Sequence, residues 1–295
     1  MTVAAAASAE GYQVNNLSSK QNGMGHVGTA MKLNSESLWF NPAAAVFQDT
    51  KIHISVGVTG IASKATYTSL PDYTGAMKPV HYTSDNKLST PMFAYVNDKP
   101  LDWMSVGVAF NTPFGSSMNW GDDWPGSQLI QSINLAAYNF QPTVSFRIGK
   151  HFSIGGGLML TWGNFDLSRS LLPIGADNAQ NQALLGALQM LVPSMPDIFT
   201  MAGNRNLMSL GIEGSAKMAV GVNLGVMWDI NEQASLGMNF RSKQLMKVDS
   251  GSIDLRMIDD PTIAQVIGQL LPQLGRRPHE AHLGRRSTSC RCPPR

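Results

Sequence analysis

The sequence predicts an all-β protein, an antiparallel transmembrane β-barrel that is incomplete at about seven strands and carries an N-terminal plug segment. Three observations lead there. The 295 residues are 43% hydrophobic but only 14% charged, against roughly 25% charge in an average soluble domain. Short segments alternate apolar and polar residues with period two, the pattern of strands with different surroundings on their two faces. The connections between these segments alternate long and short, as outer loops and periplasmic turns do in outer-membrane barrels.

Composition narrows the class further. With 22 Lys+Arg against 20 Asp+Glu there is no basic face for a nucleic acid, and too little charge for a disordered chain. A spanning helix needs about 18 consecutive apolar residues. The nearest candidate, 183–203, is broken by Pro193, Pro196 and Asp197. A barrel strand needs only about 9–11 residues with alternate positions apolar.

Residues 1–9 end in Ala7-Ser8-Ala9, a small-x-small cleavage pattern read as a signal-peptide remnant. Residues 10–50 lack strand alternation and are too long for a simple tail, so a plug folded into the barrel is expected. Gly23-Met24-Gly25-His26-Val27-Gly28 matches a G-x-G-x-x-G string, but polar, turn-like residues precede it where a dinucleotide site needs an apolar strand. Close backbone packing within the plug accounts for these glycines better.

From residue 51 the partial barrel begins. Ile52, Ile54, Val56 and Val58 share one strand face; 90–97 is a weaker second strand. Met104, Val106, Val108 and Phe110 make a third, and Phe140, Pro142, Val144, Phe146 and Ile148 a fourth. Phe152, Ile154, Leu158, Leu160 and Trp162 repeat the pattern, as do Met218, Val220, Val222, Leu224, Val226 and Trp228, and finally Ala234, Leu236, Met238 and Phe240. Long links are expected at 63–89, 112–137 and 163–215, and short turns at 98–102, 149–150 and 229–233. Trp103 and Trp228 fall at short-turn ends and Trp162 at a long-loop end, where interfacial aromatic girdles belong. The segment 244–275 is expected to open another outer loop with a short helix at 262–271.

The tail 276–295 stands apart. It holds 6 Arg and one acid, with both cysteines of the chain, and is expected to be aberrant, as from a shifted reading frame. His279, His282, Cys290 and Cys292 do not have a standard zinc-finger spacing, so no metal site is assigned. No Ser-His-Asp set emerges, and neither a cofactor nor an enzyme activity is expected. The candidate functional residues are instead apolar ones in the outer loops: Phe114, Trp120 and Trp124 in one, and Leu184, Leu185, Leu188, Met190 and Leu191 in the longest. They read equally as a landing site for an apolar ligand and as two loops packing together to cap the barrel.

The stretches GYQVNNLSSKQNGMGHVGTA and SLWFNPAAA, with the turn Asn41-Pro42-Ala43, resemble the plug of the FadL-type long-chain fatty acid transport porins. FNTPFGSSMNWGDDWPGS, YNFQPTVSFRIGKHFSIGGGL and GVNLGVMWDINEQASLGMNFRSK are similar, in the same order, to its strands and loops. The resemblance covers about residues 10–272 and implies a barrel of about fourteen strands in the outer membrane of a Gram-negative bacterium. It implies passive transport of hydrophobic compounds, most directly long-chain fatty acids: capture by outer loops, binding inside the barrel, and sideways release into the membrane after plug movement. Gly23, Gly25, Gly28, Asn41, Pro42 and Ala43 are the plug residues it marks. The implied partners are the hydrophobic ligand, outer-membrane lipid and the barrel assembly machinery. Some relatives carry aromatic hydrocarbons instead. The alternative from another class is a secreted soluble β-sandwich that binds a ligand. About half of the family's barrel and its C-terminal strand are missing here, so the chain as written is expected to be truncated and unable to insert and transport.

Overall fold

In a computed structural model of the chain, residues 12–68, 80–191, 193, 196–231, 233–263, 265 and 266 are described. Residues 1–9 and the 276–295 tail, with its histidines and cysteines, lie outside them. Period-two alternation folds as expected into strands: β1 (Ile52–Val58), β2 (Thr66–Thr68), β3 (His81–Thr83), β4 (Met92–Leu101), β5 (Met104–Asn119), β6 (Ser132–Ile148), β7 (Phe152–Ser170), β8 (Met208–Asn231), β9 (Ala234–Arg241) and β10 (Val248–Met257). All but the small β2–β3 hairpin join one antiparallel sheet in the order β1-β4-β5-β6-β7-β8-β10, with β9 also on β8. Among the described residues the sheet is open.

β9 and β10 share one edge of β8. The alignment that sets Arg241 opposite Asn223 also sets Val248 opposite Ala216. They are therefore two halves of one strand, separated by a bow at 242–247; the strand rejoins in step at Val248, and an irregularity between Val248 and Ser250 then shifts the remaining pairs by one residue. The wall thus has about seven strand positions, as expected. The expected outer loop from 244 is corrected, since 248–257 is strand. The 63–89 link holds β2 and β3, and much of 112–137 and 163–215 is strand as well. Of the expected 262–271 helix, residues 261–263 and 265–266 are helical and the remainder lies outside the described residues.

The sheet is apolar on its outer face. Ile54, Val56, Val220, Trp228 and Met238 are between 51% and 75% exposed, which is unfavourable in water and favourable against hydrocarbon. Trp103 stacks on Phe146 near the short turns, and Phe110, Tyr138 and Trp162 stack at the other end. From Phe152 to Trp162 is about ten residues; at ~3.3 Å each and a tilt near 40° the two aromatic rows lie about 25 Å apart, the height of an outer-membrane apolar band.

The inner face carries Asn97, Ser105, Gln141, Ser145, Ser153 and Asn223, all buried. They are buried by residues 12–50, which fold as short helical pieces at Ser19–Gly23, Gly28–Ala30, Asn34–Glu36, Ser37–Phe40 and Pro42–Phe47. Irregular backbone leaves carbonyls unpaired, and the strands satisfy them. Gln141 Nε2 donates to Leu38 O (2.7 Å), Asn223 Nδ2 to Trp39 O (3.0 Å), Ser145 Oγ to Pro42 O (2.6 Å), Ser153 Oγ to Ala43 O (2.7 Å) and Asn97 Nδ2 to Ala45 O (3.0 Å). Asn41 caps the Pro42–Phe47 helix, accepting from Ala43 N, and donates to Val226 O (3.2 Å) on the wall. Lys32 pairs with Asp229 at 2.6 Å where β8 ends.

Candidate functional site

Two chemistries are stacked inside the sheet above the plug. β6 and β7 pair in one unbroken alignment from Ser132↔Ser168 to Ile148↔Phe152, so their odd-numbered residues all face inward with Gln141 and Ser153. Below Tyr138 and Trp162 those positions are polar or glycine, apart from Met159. Above them they are Ile133, Leu135, Phe165 and Leu167, while the outward positions become Asn134, Asn164 and Asp166. Cross-strand partners share a face, which adds Phe114 and Met118 from β5, Leu210 and Ile212 from β8, and Ile253 and Leu255 from β10. The alternation keeps its phase while its polarity inverts: beyond the membrane band the outside meets water and the inside is an apolar belt.

The floor of this belt is polar. Asn111, Asn139 and Thr161 sit in register across β5, β6 and β7. Thr161 Oγ1 bonds Asn139 Oδ1 (3.1 Å) and Gln244 Oε1 (3.0 Å). Tyr95 OH donates to Leu17 O of the plug at 2.9 Å and accepts from Asn111 Nδ2. Arg241, at the end of β9, lies 4.2 Å over the Trp39 ring and donates from Nη2 to Trp39 O at 2.6 Å. Its Nε, Asn111 Oδ1 and Asn139 Nδ2 are buried without a protein partner. A half-buried guanidinium whose Nε is buried and unpartnered, with one carbonyl and a ring face, is under-compensated, and bonds favourably with an anionic group.

The roof is the outer loops. The Ala179–Leu191 helix and the Ile198–Ala202 helix, the latter N-capped by Asp197, close over Leu185, Phe199, Ala202, Leu207 and Ile263. Arg205 bonds Asp260 at 3.0 Å across the same unit. Hydrogen bonds from the Thr200 hydroxyl and the Thr200 and Phe199 amides hold the Asp197 carboxyl below the ordinary carboxylate range, and the bond from Arg205 does the same for Asp260. Beside it, Trp120 and Trp124 stack at 4.6 Å, with Tyr67 of the hairpin edge-on to Trp124 at 5.7 Å.

The sequence-derived candidates thus fall in three places. Phe114 is a strand residue on the inner belt, paired with Ala137, so its assignment to a loop is corrected. Trp120 and Trp124 form the aromatic stack, with Trp124 buried. In the cap, Leu185 is buried and Leu188 packs against its cluster, while Leu184 is 37% and Met190 87% exposed. The side chain of Leu191 lies outside the described residues. In the plug, Gly25 takes a left-handed backbone (φ +66°), Gly28 lies against the Gln21 side chain, and Asn41-Pro42-Ala43 forms the helix start described above. Sequence reasoning missed Arg241, Asn111, Asn139, Tyr95 and the inner belt. A usable signal was the run of Asn, Gln, Thr and Ser at the inward positions of apolar strands, with Arg241 closing the row in β9.

Residues 1–256 match the family described as outer membrane protein transport protein (OMPP1/FadL/TodX). The chain is 23% identical over 150 residues to one outer membrane protein P1 from Haemophilus influenzae and 21% identical over 259 residues to another. These matches take in 51% and 82% of this chain but 32% and 55% of those proteins. Among solved structures it is similar to a Pseudomonas aeruginosa FadL homologue, at 16% identity and a TM-score of 0.54 over 84% of this chain and 55% of that one. It is also similar to the Ralstonia pickettii toluene transporter TbuX, at 14% identity and a TM-score of 0.55 over 79% of this chain and 59% of that one. At such identities the likeness is one of fold.

Proposed function

This chain belongs to the outer membrane protein transport family (OMPP1/FadL/TodX), a family of transport proteins, and from that premise we propose that it carries long-chain fatty acids passively across the outer membrane. The observation that supports this substrate is the stacking of the apolar belt on the polar floor around Arg241. A toluene-sized hydrocarbon would use only the belt. A fatty acid would use both, its chain against Phe165, Leu167 and Ile212 and its carboxylate on the Arg241 guanidinium. Capture falls to the exposed Leu184 and Met190 and the half-buried Trp120, with Leu185, Leu188 and Trp124 supporting them from beneath and Phe114 within the belt. The plug, 10–50, blocks the lumen, and release is sideways into outer-membrane lipid. Insertion of the outward apolar band is assigned to the barrel assembly machinery.

Competition binding to the detergent-solubilised chain tests the substrate. Palmitate is expected to outcompete both hexadecanol and toluene. A hydrogen bond to a charged group contributes about 1.5–3 kcal/mol, so Arg241→Gln is expected to weaken palmitate by roughly 10- to 100-fold and leave toluene unchanged. Toluene binding as tightly as palmitate, with no effect of the substitution, would move the assignment to aromatic hydrocarbons. Proteolysis of the plug in the variant separates lost binding from a displaced Trp39.

A further inference from the structure

The amides on the inner face of the wall are not all used alike. Gln141 and Asn223 bond through both ends: Gln141 Nε2 donates to Leu38 O and its Oε1 accepts from Asn223 Nδ2 (3.3 Å), while Asn223 Oδ1 accepts from Asn239 Nδ2 (2.7 Å). Asn111 and Asn139 do not. They stand directly opposite each other across β5 and β6, and both are fully buried. Asn111 Nδ2 donates to Tyr95 OH at 3.3 Å, and Asn139 Oδ1 accepts from Thr161 Oγ1 at 3.1 Å. The other end of each amide, the oxygen of Asn111 and the nitrogen of Asn139, is buried with no hydrogen-bond partner among the described residues. Tyr95 fixes the first of these. Its hydroxyl hydrogen is committed to Leu17 O at 2.9 Å, so it can only accept from Asn111, and the Asn111 oxygen is turned away from it. A buried amide end left unbonded is costly, and folded interiors keep few of them.

The pair thus offers one acceptor and one donor on a shared face, since opposed residues of antiparallel strands point the same way. A methylene group satisfies neither. A carboxylate only accepts, and sets its charge against the Asn111 oxygen. A hydroxyl serves both with a single oxygen: its hydrogen goes to Asn111 Oδ1 and a lone pair takes Asn139 Nδ2. The strand register says where along a ligand that hydroxyl lies. Arg241 is opposite Asn223, which is opposite Gly157 of β7, whereas Asn139 is opposite Thr161 of the same strand. The pair therefore stands above the Arg241 row and directly below the belt, which opens on these strands with Leu135 and Phe165. From there to the cap the inward positions are apolar.

We infer that Asn111 and Asn139 recognise a hydroxyl close to the carboxylate end of the ligand, which makes the substrate class hydroxylated long-chain fatty acids. This rests on the transport reading above and narrows its substrate. The carboxylate lies on Arg241, the hydroxyl on the asparagine pair, and the rest of the chain in the belt. A hydroxyl at the far end of the chain would be carried past the pair and left unbonded among Phe165, Leu167 and Ile212. A site that bonds a substrate hydroxyl also discriminates against the analogue without one, because its own buried groups then stay unpaired.

The test uses the full chain reconstituted in phosphatidylethanolamine/phosphatidylglycerol nanodiscs, with palmitate, 3-hydroxypalmitate and 16-hydroxypalmitate competing against a fluorescent fatty acid. 3-Hydroxypalmitate is expected to bind about 5- to 50-fold more tightly than palmitate, the range for one or two neutral hydrogen bonds, and 16-hydroxypalmitate more weakly than palmitate. Equal affinities for palmitate and 3-hydroxypalmitate, both weakened by Arg241→Gln, would overturn the hydroxyl site and leave the transport reading intact. So would 16-hydroxypalmitate binding tightest of the three. No binding of any of them would overturn both readings. As a second measurement, Asn139→Leu removes the free donor, and the ratio of the 3-hydroxypalmitate and palmitate affinities is expected to fall to near unity. A ratio that keeps its parental value in the folded variant would overturn the assignment to this pair.

Discussion

The plug and the outer cap are both built from short helical pieces joined by irregular backbone, and they are held in opposite ways. The plug's apolar core is shared with the wall, Leu17, Leu38, Trp39 and Ala45 packing with Phe93, Tyr95, Ala109 and Met159, and Ala43, Ala44, Val46 and Phe47 with Met227. Its carbonyls too are bonded by wall residues, Gln141, Ser145, Ser153, Asn97 and Asn223. The cap closes on itself around Leu185, Phe199, Leu207 and Ile263. The plug is therefore stable only inside its barrel, since its bonds are replaced by water once it leaves, while the cap takes its stability from burial that travels with it. A segment that must move suits the first construction; a segment that must hold its shape over a moving ligand suits the second.

Three changes probe that contrast. The largest effect is expected for Phe199→Ala. The ring is 2% exposed and such truncations cost about 3–5 kcal/mol, so amide exchange across 179–202 should rise by roughly 100-fold or more. Exchange in the plug should stay as it was; a parallel rise there would show that the two units are coupled. Next is Gly155→Val, because a Cβ at this wall position would meet Pro42 C at 2.5 Å and Ala43 N at 2.6 Å, backbone atoms that cannot turn aside. Overpacking of this kind costs about 1–3 kcal/mol, so protease cleavage within 36–48 should accelerate roughly 10- to 100-fold while the cap is untouched. The smallest concerns pH. Hydrogen bonds from Thr200 and Arg205 lower the folded-state values of Asp197 and Asp260 below the ordinary 3.8. Their stabilisation is therefore complete above that value and fades as pH falls through the lower folded values. Methyl NMR signals of Ile198 and Met201 should hold steady from pH 7 to 5 and shift only below about pH 4, and Asp197→Asn should blunt the change.

The legible half of this fold is the half that faces lipid. Ile54, Val106, Leu158 and Val226 alternate because hydrocarbon lies on one side only, and that pattern located the wall, its short turns and its tryptophans. The strand extensions beyond Tyr138 and Trp162 have the sequence character of loops, because outward positions such as Asn134 and Asp166 are polar there and the apolar ones change sides. β10 was missed for a related reason. Ile253 and Leu255 do alternate, but the bow at 242–247 separates them from β9, and no local signal says that a strand will resume in register. Of the candidate site, the loop residues were visible as apolar side chains in unexpected places. Which of them support the cap and which face outward is a matter of packing, and Leu184 and Leu185 are neighbours in sequence with opposite fates. The significance of Arg241 comes from Trp39, a plug residue 202 positions earlier whose carbonyl and ring meet its guanidinium, and nothing in the local sequence announces that meeting.

The reversal of polarity along β6 and β7 also acts as a depth mark. Were the sheet to ride lower, Asn134, Asn164 and Asp166 would be drawn into hydrocarbon; were it to ride higher, Phe140 and Leu158 would be lifted into water. A lipid-facing Arg or Lys costs up to about 2–4 kcal/mol at the midplane, an aspartate such as Asp166 less, and either less again near the surface. The switch occurs within one alternation, so the waterline on this protein is drawn to within about two residues, or roughly 5 Å of height. Wherever the membrane thins or thickens around it, the lipid must adjust to the strand.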